Sequence, residues 1–171
     1  EFDGSAWARI ARSHLGGLPP EVDLKAEVAL GNVVRALSAA DGPDGRPLVR
    51  AAHDLSNGGL LQSLVDSALR FGIGGVFDVA GAARRDSVGD HEMLLSESQA
   101  RAFVAVPEAA VKAVFAAAEA EGVDAVRIGT TGGDMLAISG VDLLAAEGEG
   151  CGWIASIDEL RELSDTGRKY F

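Results

Sequence analysis

The stretch that most constrains this chain is residues 49–61, VRAAHDLSNGGLL. A short apolar run passes into His53, Asp54 and Ser56, then into two glycines, then into an amphipathic helical pattern. Such an order predicts a strand, a tight loop and a helix, with polar side chains and bare backbone N–H groups gathered at the helix mouth. Helix mouths of this kind suit anions, phosphates included. Gly58 and Gly59 let a second group approach the backbone closely and tolerate positive φ. Asp54, Ser56 and Asn57 are equally suited to capping the helix, so the residues alone leave capping and ligand binding both open.

Around this passage, hydrophobic periodicity predicts alternating helices and strands. A helix over residues 4–14 has Ser5 as its cap, and Gly16, Gly17, Pro19 and Pro20 forbid its continuation. A second helix, capped by Asp23, runs to about Ala40 with Leu30, Val33, Val34 and Leu37 on one face. After a loop at 41–45, strands are expected at 48–52, 76–79, 102–106, 123–129 and 135–139. Helices are expected at 59–70, 107–121 and 156–163, the last opened by Ser156 or Asp158. Residues 80–89 read as a loop and 90–95 as a helical turn. The wholly apolar 102–106 run predicts a central strand. The last two strands are expected to form a hairpin through residues 130–134, and 145–150 a flexible loop. This order points to an α+β fold: a mixed β-sheet with helices packed on one face, in a ferredoxin-like arrangement. The 171 residues are expected to form a single domain, with a helical segment at 1–47 and an α/β core at 48–171.

Composition narrows the function classes. A net charge of -11 argues against binding a nucleic-acid backbone, which needs Lys and Arg. The single cysteine, Cys151, excludes an internal disulfide and a Cys-rich zinc site, and favours a reducing compartment. No apolar run approaches the roughly 20 residues that span a bilayer. No signal peptide opens the chain, so a cytoplasmic location is expected, and Glu1-Phe2 is compatible with a cloning remnant.

Candidate chemistry is sparse. A second polar cluster, Ser96-Glu97-Ser98-Gln99, lies between two apolar blocks, and its side chains need hydrogen-bond partners. A carboxylate beside an amide suits recognition of an amide or a sugar hydroxyl, or simply of backbone. His53 stands without a second His or Cys nearby and reads as structural, while His14 and His91 read as surface residues. Ser13, Ser38 and Ser63 lack a G-x-S-x-G context. No histidine spacing or carboxylate cluster fits a metal, and no complete catalytic set is present.

Four segments together resemble a known family. Ala52-His53-Asp54-Leu55-Ser56-Asn57-Gly58-Gly59-Leu60 resembles the A-H-D-L-S-D/E-G-G-L signature of phosphoribosylformylglycinamidine synthases, in the C-terminal domain of the large, ATP-using subunit. Leu95-Ser96-Glu97-Ser98 resembles the family's L-F-S/G-E-S segment. Gly4-Ser5-Ala6-Trp7-Ala8 resembles its G-S-x-[WY]-A opening, and residues 15–24 its G-x-P-P-x-V-D-L stretch. The segments follow family order and spacing. Asn57 departs from the usual acidic residue and Leu95 from the usual Phe, and the tail after Ser139 matches less well.

The resemblance implies the second C-terminal domain of an enzyme of the aminoimidazole ribonucleotide synthetase superfamily. It implies a part in converting formylglycinamide ribonucleotide to formylglycinamidine ribonucleotide in purine synthesis. ATP activates the amide oxygen as a phosphate ester, and ammonia from glutamine displaces it. ATP and magnesium belong to the full-length enzyme, and no cofactor is expected in this chain. Expected partners are the remaining domains, a glutaminase subunit and a small accessory subunit, with no nucleic acid and no membrane. The catalytic histidine and magnesium ligands are expected outside this chain, which is expected to be inactive alone. Asp54, Ser56, Gly58, Gly59, Glu97, Ser98 and Gln99 become the candidate ligand-binding residues. In the family's first C-terminal domain the E-S-Q residues contact the ribonucleotide; in its second, the loop faces the non-catalytic half. A severed domain should also show an apolar patch near its first helix. Two alternatives stay open: a part of aminoimidazole ribonucleotide synthetase, selenophosphate synthetase or a hydrogenase maturation factor, or a stand-alone nucleotide-binding or scaffold domain.

Overall fold

The computed structural model describes residues 3–86, 88–139 and 152–167. The expected loop at 145–150, Cys151 and Glu1-Phe2 lie outside the described residues. Helix α1 (Ala6–Arg12) starts where the Ser5 Oγ accepts the Ala8 N–H at 3.1 Å. Helix α2 (Leu24–Ser38) starts where Asp23 accepts the N–H groups of Lys25 and Ala26. Both caps satisfy donors that a helix start leaves orphaned.

Strand β1 (Ala51–Asp54) leads into helix α3 (Gly59–Phe71), which stops at Gly72 in a left-handed conformation. Strand β2 (Gly75–Asp78), helices α4 (Ala80–Asp86) and α5 (Asp90–Leu95) and strand β3 (Ala102–Ala105) follow. A 3-10 turn (Glu108–Ala110) opens helix α6 (Val111–Ala120). Strands β4 (Gly129–Thr131), β5 (Met135–Ser139) and β6 (Trp153–Ser156) and helix α7 (Ile157–Gly167) complete the order. Ser156 is the residue that opens α7. Its N–H donates to Glu159 Oε2 at 2.7 Å and its Oγ accepts the Glu159 N–H at 3.2 Å, a reciprocal cap. The Ser156 bonds hold the Glu159 carboxyl below its ordinary range.

The fold is α+β with a mixed sheet, as the alternating pattern predicts, but the strands divide into two sheets. One is the antiparallel ribbon β1-β3, pairing His53 with Phe103 and Asp54 with Ala102. The other has the order β4-β2-β5-β6, with β2 and β5 parallel and both flanks antiparallel. On β2, Gly75 and Phe77 turn inward while Val76 and Asp78 face out. Leu136, Ile138 and Ala155 continue the inner face and join Leu60, Leu64, Val79, Leu94 and Leu160 in the main core. The outer face leaves Val76 64% and Ile154 62% exposed. Helix packing is thus one-sided, which is why the strands alternate. A second core joins Val33 and Leu37 of α2 to Leu48 and Ala110, and a cavity of about 850 Å³ lies beside residues of both cores.

Five expectations are corrected. The strand expected over 123–129 begins only at its last residue: 123–128 carry no regular structure and β4 runs Gly129–Thr131. The strand over 102–106 is not central: among the described residues β3 pairs with β1 only and stays half-buried. An apolar run reports apolar surroundings, and here β3 is half-buried along a cavity that residues of α2 and α6 also line. The hairpin between the last two predicted strands is replaced by insertion of β2. Gly74 accepts the Gly132 N–H at 2.8 Å and donates to the Gly133 carbonyl at 2.9 Å, so β2 enters between β4 and β5. A Cβ on Gly74 would collide with the Met135 backbone. The loop expected at 80–89 contains α4, whose Ala82 and Ala83 are buried and whose Ala80 N–H is taken by Asp78 Oδ1 at 3.0 Å. Finally, β1 lies later than 48–52. The ladder starts as the Arg50 N–H meets the Ala105 carbonyl at 2.8 Å, which carries His53 and Asp54 into the strand.

Near the first helix, where an apolar patch is expected, Ile10, Leu15, Leu18, Val22, Leu24 and Val28 are each exposed. Among the described residues, no helix is long and apolar enough to cross a membrane.

Truncating Leu136, 1% exposed at the centre of the inner face, tests the sheet. Leu136→Ala is expected to cost about 2–5 kcal/mol in urea unfolding. A loss below about 1 kcal/mol would mean that this face is not packed.

Candidate functional site

Two loops that are distant in sequence converge beside the start of α3. The first follows β1. Its Leu55 is buried and its Leu55 N–H donates to the Arg101 carbonyl at 3.0 Å. The chain then turns through Gly58 and Gly59, both with left-handed φ. An added Cβ on Gly59 would lie 2.6 Å from the Leu94 carbonyl oxygen and 2.7 Å from that of Ser96. Only glycine fits, and the second loop therefore abuts the mouth of α3 directly. Ser63, one turn into α3, is buried and its hydroxyl lies 2.9 Å from the carbonyl oxygens of both Asp54 and Gly59. That hydroxyl locks the helix to the end of β1.

Glu97 joins the loops. Its Oε1 accepts the Gly58 N–H at 2.8 Å and the Ala6 N–H at 2.8 Å. One carboxylate oxygen thus bridges the starts of α1 and α3. Ser96 is buried, its Oγ is 2.8 Å from that of Ser98, and it accepts the Ser98 N–H at 3.3 Å. Arg101 donates to the carbonyls of Met93 and Ser96 at the end of α5. The Ala100 N–H donates to Glu27 Oε1 of α2 at 2.8 Å.

The candidate residues divide by what they touch. Gly58, Gly59 and Glu97 are held in the joint, with the Glu97 oxygen engaged by backbone. Asp54, Ser56 and Gln99 are exposed, while Ser98 is half-buried with its hydroxyl on that of buried Ser96. The Ser56 hydrogen bond lowers the Asp54 pKa, assisted by its own backbone and by His53, so Asp54 is a carboxylate near neutrality. His53 Nδ1 lies 2.6 Å from the Asp54 carbonyl oxygen, and its ring stacks on Phe103 at 5.9 Å. Bonding to a carbonyl makes that nitrogen the donor, and the stacked ring serves as part of the ribbon. Sequence reasoning missed Glu27, Ser63 and Arg101 as loop anchors. Glu27 and Ala100 are 73 residues apart, so no local spacing pairs them.

Chemically, the exposed groups supply hydrogen bonds and one negative charge. That charge disfavours a bare phosphate at the mouth of α3. Among the described residues, no three His, Cys, Asp or Glu side chains converge as a metal-ligand set.

Two measurements test this geometry. Glu97→Ala removes the acceptor for two partly buried N–H groups and is expected to destabilise the chain by about 2–4 kcal/mol in urea unfolding. A loss under about 0.5 kcal/mol would dissolve the joint. Asp54 has a folded pKa below its unfolded value. Its contribution to stability is present above the unfolded carboxylate range and is lost as pH falls through the folded pKa. Ser56→Ala is expected to raise the Asp54 midpoint toward the ordinary value in a carboxyl NMR titration. An unmoved midpoint would show that the hydroxyl is not its partner.

With this geometry in place, known proteins supply the context. Residues 1–139 match the family described as AIR synthase related protein, C-terminal domain. The PurL subunit of phosphoribosylformylglycinamidine synthase from Nocardioides sp. is 43% identical over 140 residues, 82% of this chain and 17% of the relative. The same subunit from Renibacterium salmoninarum is 41% identical over 172 residues, 100% of this chain and 20% of the relative. The chain therefore spans a fifth or less of these relatives. Among solved structures, phosphoribosylformylglycinamidine synthase II from Thermotoga maritima has a TM-score of 0.59 at 16% identity, covering 85% of this chain and 28% of its own. PurL from T. maritima in complex with ATP has a TM-score of 0.52 at 17% identity, covering 66% of this chain and 19% of its own. At such identities the likeness establishes a shared fold. The signature loops, the fold and the match over residues 1–139 agree: this chain belongs to the family of AIR synthase related C-terminal domains.

Proposed function

We propose that the chain works as a C-terminal domain of the large subunit of a phosphoribosylformylglycinamidine synthase. In that role it serves the ATP- and glutamine-dependent conversion of formylglycinamide ribonucleotide to formylglycinamidine ribonucleotide, a cytoplasmic step of purine synthesis. The observation that carries this reading is the bond between Gly58 and Glu97, which joins the two signature loops across 39 residues. Identity of 41–43% to PurL subunits supports it.

The two loops form one wall of a ligand pocket. Asp54, Ser56, Ser98 and Gln99 supply its polar face, and Gly58, Gly59 and Glu97 supply its rigidity. Hydroxyl and amide groups of this kind suit a ribonucleotide's sugar and amide better than its phosphate. The remaining domains of the same enzyme supply ATP and magnesium binding and the catalytic groups. A glutaminase subunit and a small accessory subunit complete the assembly. The exposed apolar side chains of residues 10–28 are the surface on which those domains pack.

Replacing the matching segment of the Renibacterium salmoninarum relative with this chain tests the proposal. The chimera is expected to make formylglycinamidine ribonucleotide with ATP and glutamine, while this chain alone makes none. A folded chimera without activity overturns the assignment, as does product formed by the chain alone.

A further inference from the structure

We propose that Asn57 is a self-modification site: its side-chain amide is lost through a succinimide formed with the Gly58 nitrogen, and the Glu97 joint holds that reaction back. This inference is independent of the function proposed above. The sequence has two asparagines, Asn32 and Asn57. Asn32 lies inside α2 ahead of branched Val33, and its side chain bonds to Glu121 and Arg35. Asn57 is exposed and is followed by a glycine, so no Cβ shields the nitrogen that follows it. Residues 56–59 form a turn, closed by the Gly59 N–H on the Ser56 carbonyl at 2.9 Å. Gly58 has φ 76° and ψ 5°, and Asn57 does not have a positive φ. That is the type II pattern, with Asn57 and Gly58 at the two corners.

The chemistry balances with water as its co-reactant. The Gly58 nitrogen attacks Asn57 Cγ, and an N–Cγ bond forms as the Cγ–amide bond breaks. The Gly58 N–H proton leaves with the departing amide nitrogen as ammonia, and a five-membered imide remains. Water then opens the imide at either carbonyl, giving aspartate or isoaspartate. Ring closure requires the 57–58 peptide plane to turn until its nitrogen faces Cγ. That nitrogen donates to Glu97 Oε1 at 2.8 Å in a partly buried setting, so the turn must first break a charge-assisted bond. The negative carboxylate also opposes the amide anion that attacks. One proton thus serves either the joint or the reaction. The imide nitrogen carries no hydrogen, so Glu97 loses its α3 donor and keeps the Ala6 N–H. Isoaspartate adds a carbon to the main chain. Upstream, Leu55 is buried and bonded to the Arg101 carbonyl; downstream, Gly59 abuts the Leu94 and Ser96 carbonyls. The added length is therefore taken up at Gly58, which moves off Glu97. Conversion of Asn57 releases the α3 half of the joint.

The test ages the full chain at neutral pH and reads the amide-to-acid mass change in its peptides. Asn57 is expected to convert while Asn32 keeps its amide, and Asn57→Gln, which would need a six-membered ring, is expected to stop conversion at that position. Glu97→Ala is expected to raise the rate about tenfold, and Glu97→Gln, which keeps an acceptor oxygen without the charge, about threefold. Leu136→Ala loosens the core without touching the turn and should stay within about twofold of the unmodified rate. In the isoaspartate form, amide hydrogen exchange at Gly58 is expected to speed up about tenfold while the Ile138 amide holds its rate. An Asn57 amide retained in both the unmodified chain and Glu97→Ala overturns the site. Acceleration by Leu136→Ala equal to that by Glu97→Ala overturns the protective role of Glu97, and where Glu97→Ala fails to fold the Glu97→Gln rate decides instead. Unchanged exchange at Gly58 after conversion overturns the release of the joint.

Discussion

One carboxylate oxygen holds the architecture of the site together. Glu97 Oε1 takes the N–H groups of Ala6 and Gly58, two donors that helix starts leave without intrahelical partners. Both helix ends carry partial positive charge, so a negative group between them is favoured electrostatically as well as by hydrogen bonding. The consequences extend outward from this joint. Gly59 must lack a side chain because the Leu94 and Ser96 carbonyls occupy that space. Ser96 must be buried, and its hydroxyl is then turned toward Ser98. Asp54 and Ser56 are left on the open side, where they bond to each other. Glu97 is the residue that most looks like a ligand group in sequence, and it is the one most occupied with backbone.

The fold was legible wherever one short-range rule governed an element. Ser5, Asp23 and Ser156 mark helix starts by side chains that reach two or three residues ahead. The α3 face repeats at helical spacing, with Leu64 and Ala68 buried as its periodicity requires. Illegible parts depended on partners far away. The insertion of β2 between β4 and β5 turns on Gly74 bonding to Gly132 and Gly133, almost 60 residues later. Residues 123–139 contain two apolar runs with a glycine turn between them, which favours a hairpin locally. A third strand competes for the same edges and wins, because Gly74 and Gly75 let it approach closely on both sides. Helix α4 escaped for a different reason: alanine and glycine give almost no hydrophobic contrast, so its buried Ala82 and Ala83 left no periodic signal.

For the site, composition and spacing located both loops without showing that they touch. Periodicity placed the first at the end of a strand and the second before one, and a resemblance was needed to group them. The anchors Glu27 and Arg101 were invisible for a physical reason. Each acts on backbone groups, and backbone acceptors and donors leave no trace in sequence. A carboxylate destined for an amide N–H reads the same as one destined for solvent. The exposed residues were easier, since Asp54 ends a strand and Ser56 and Gln99 sit in loops, where polar side chains find water or a ligand.

The distribution of apolar surface connects this local order to the proposed assembly. Helices cover only the inner face of the four-stranded sheet, and α1 with the stretch leading into α2 leaves Ile10, Leu15, Leu18, Val22, Leu24 and Val28 in water. Burial of each such side chain is worth about 1.5–3 kcal/mol when complete, so covering this surface is a substantial driving force for docking. The covering domain would meet α1 at the end opposite Ser5, while Ser5 and Ala6 sit on the Glu97 joint. Helix α1 then touches the docking surface along one end and the ligand wall at the other. Its seven residues are too few to be stable alone. The position of the wall therefore depends on contacts at both ends of a helix that neither end could order by itself.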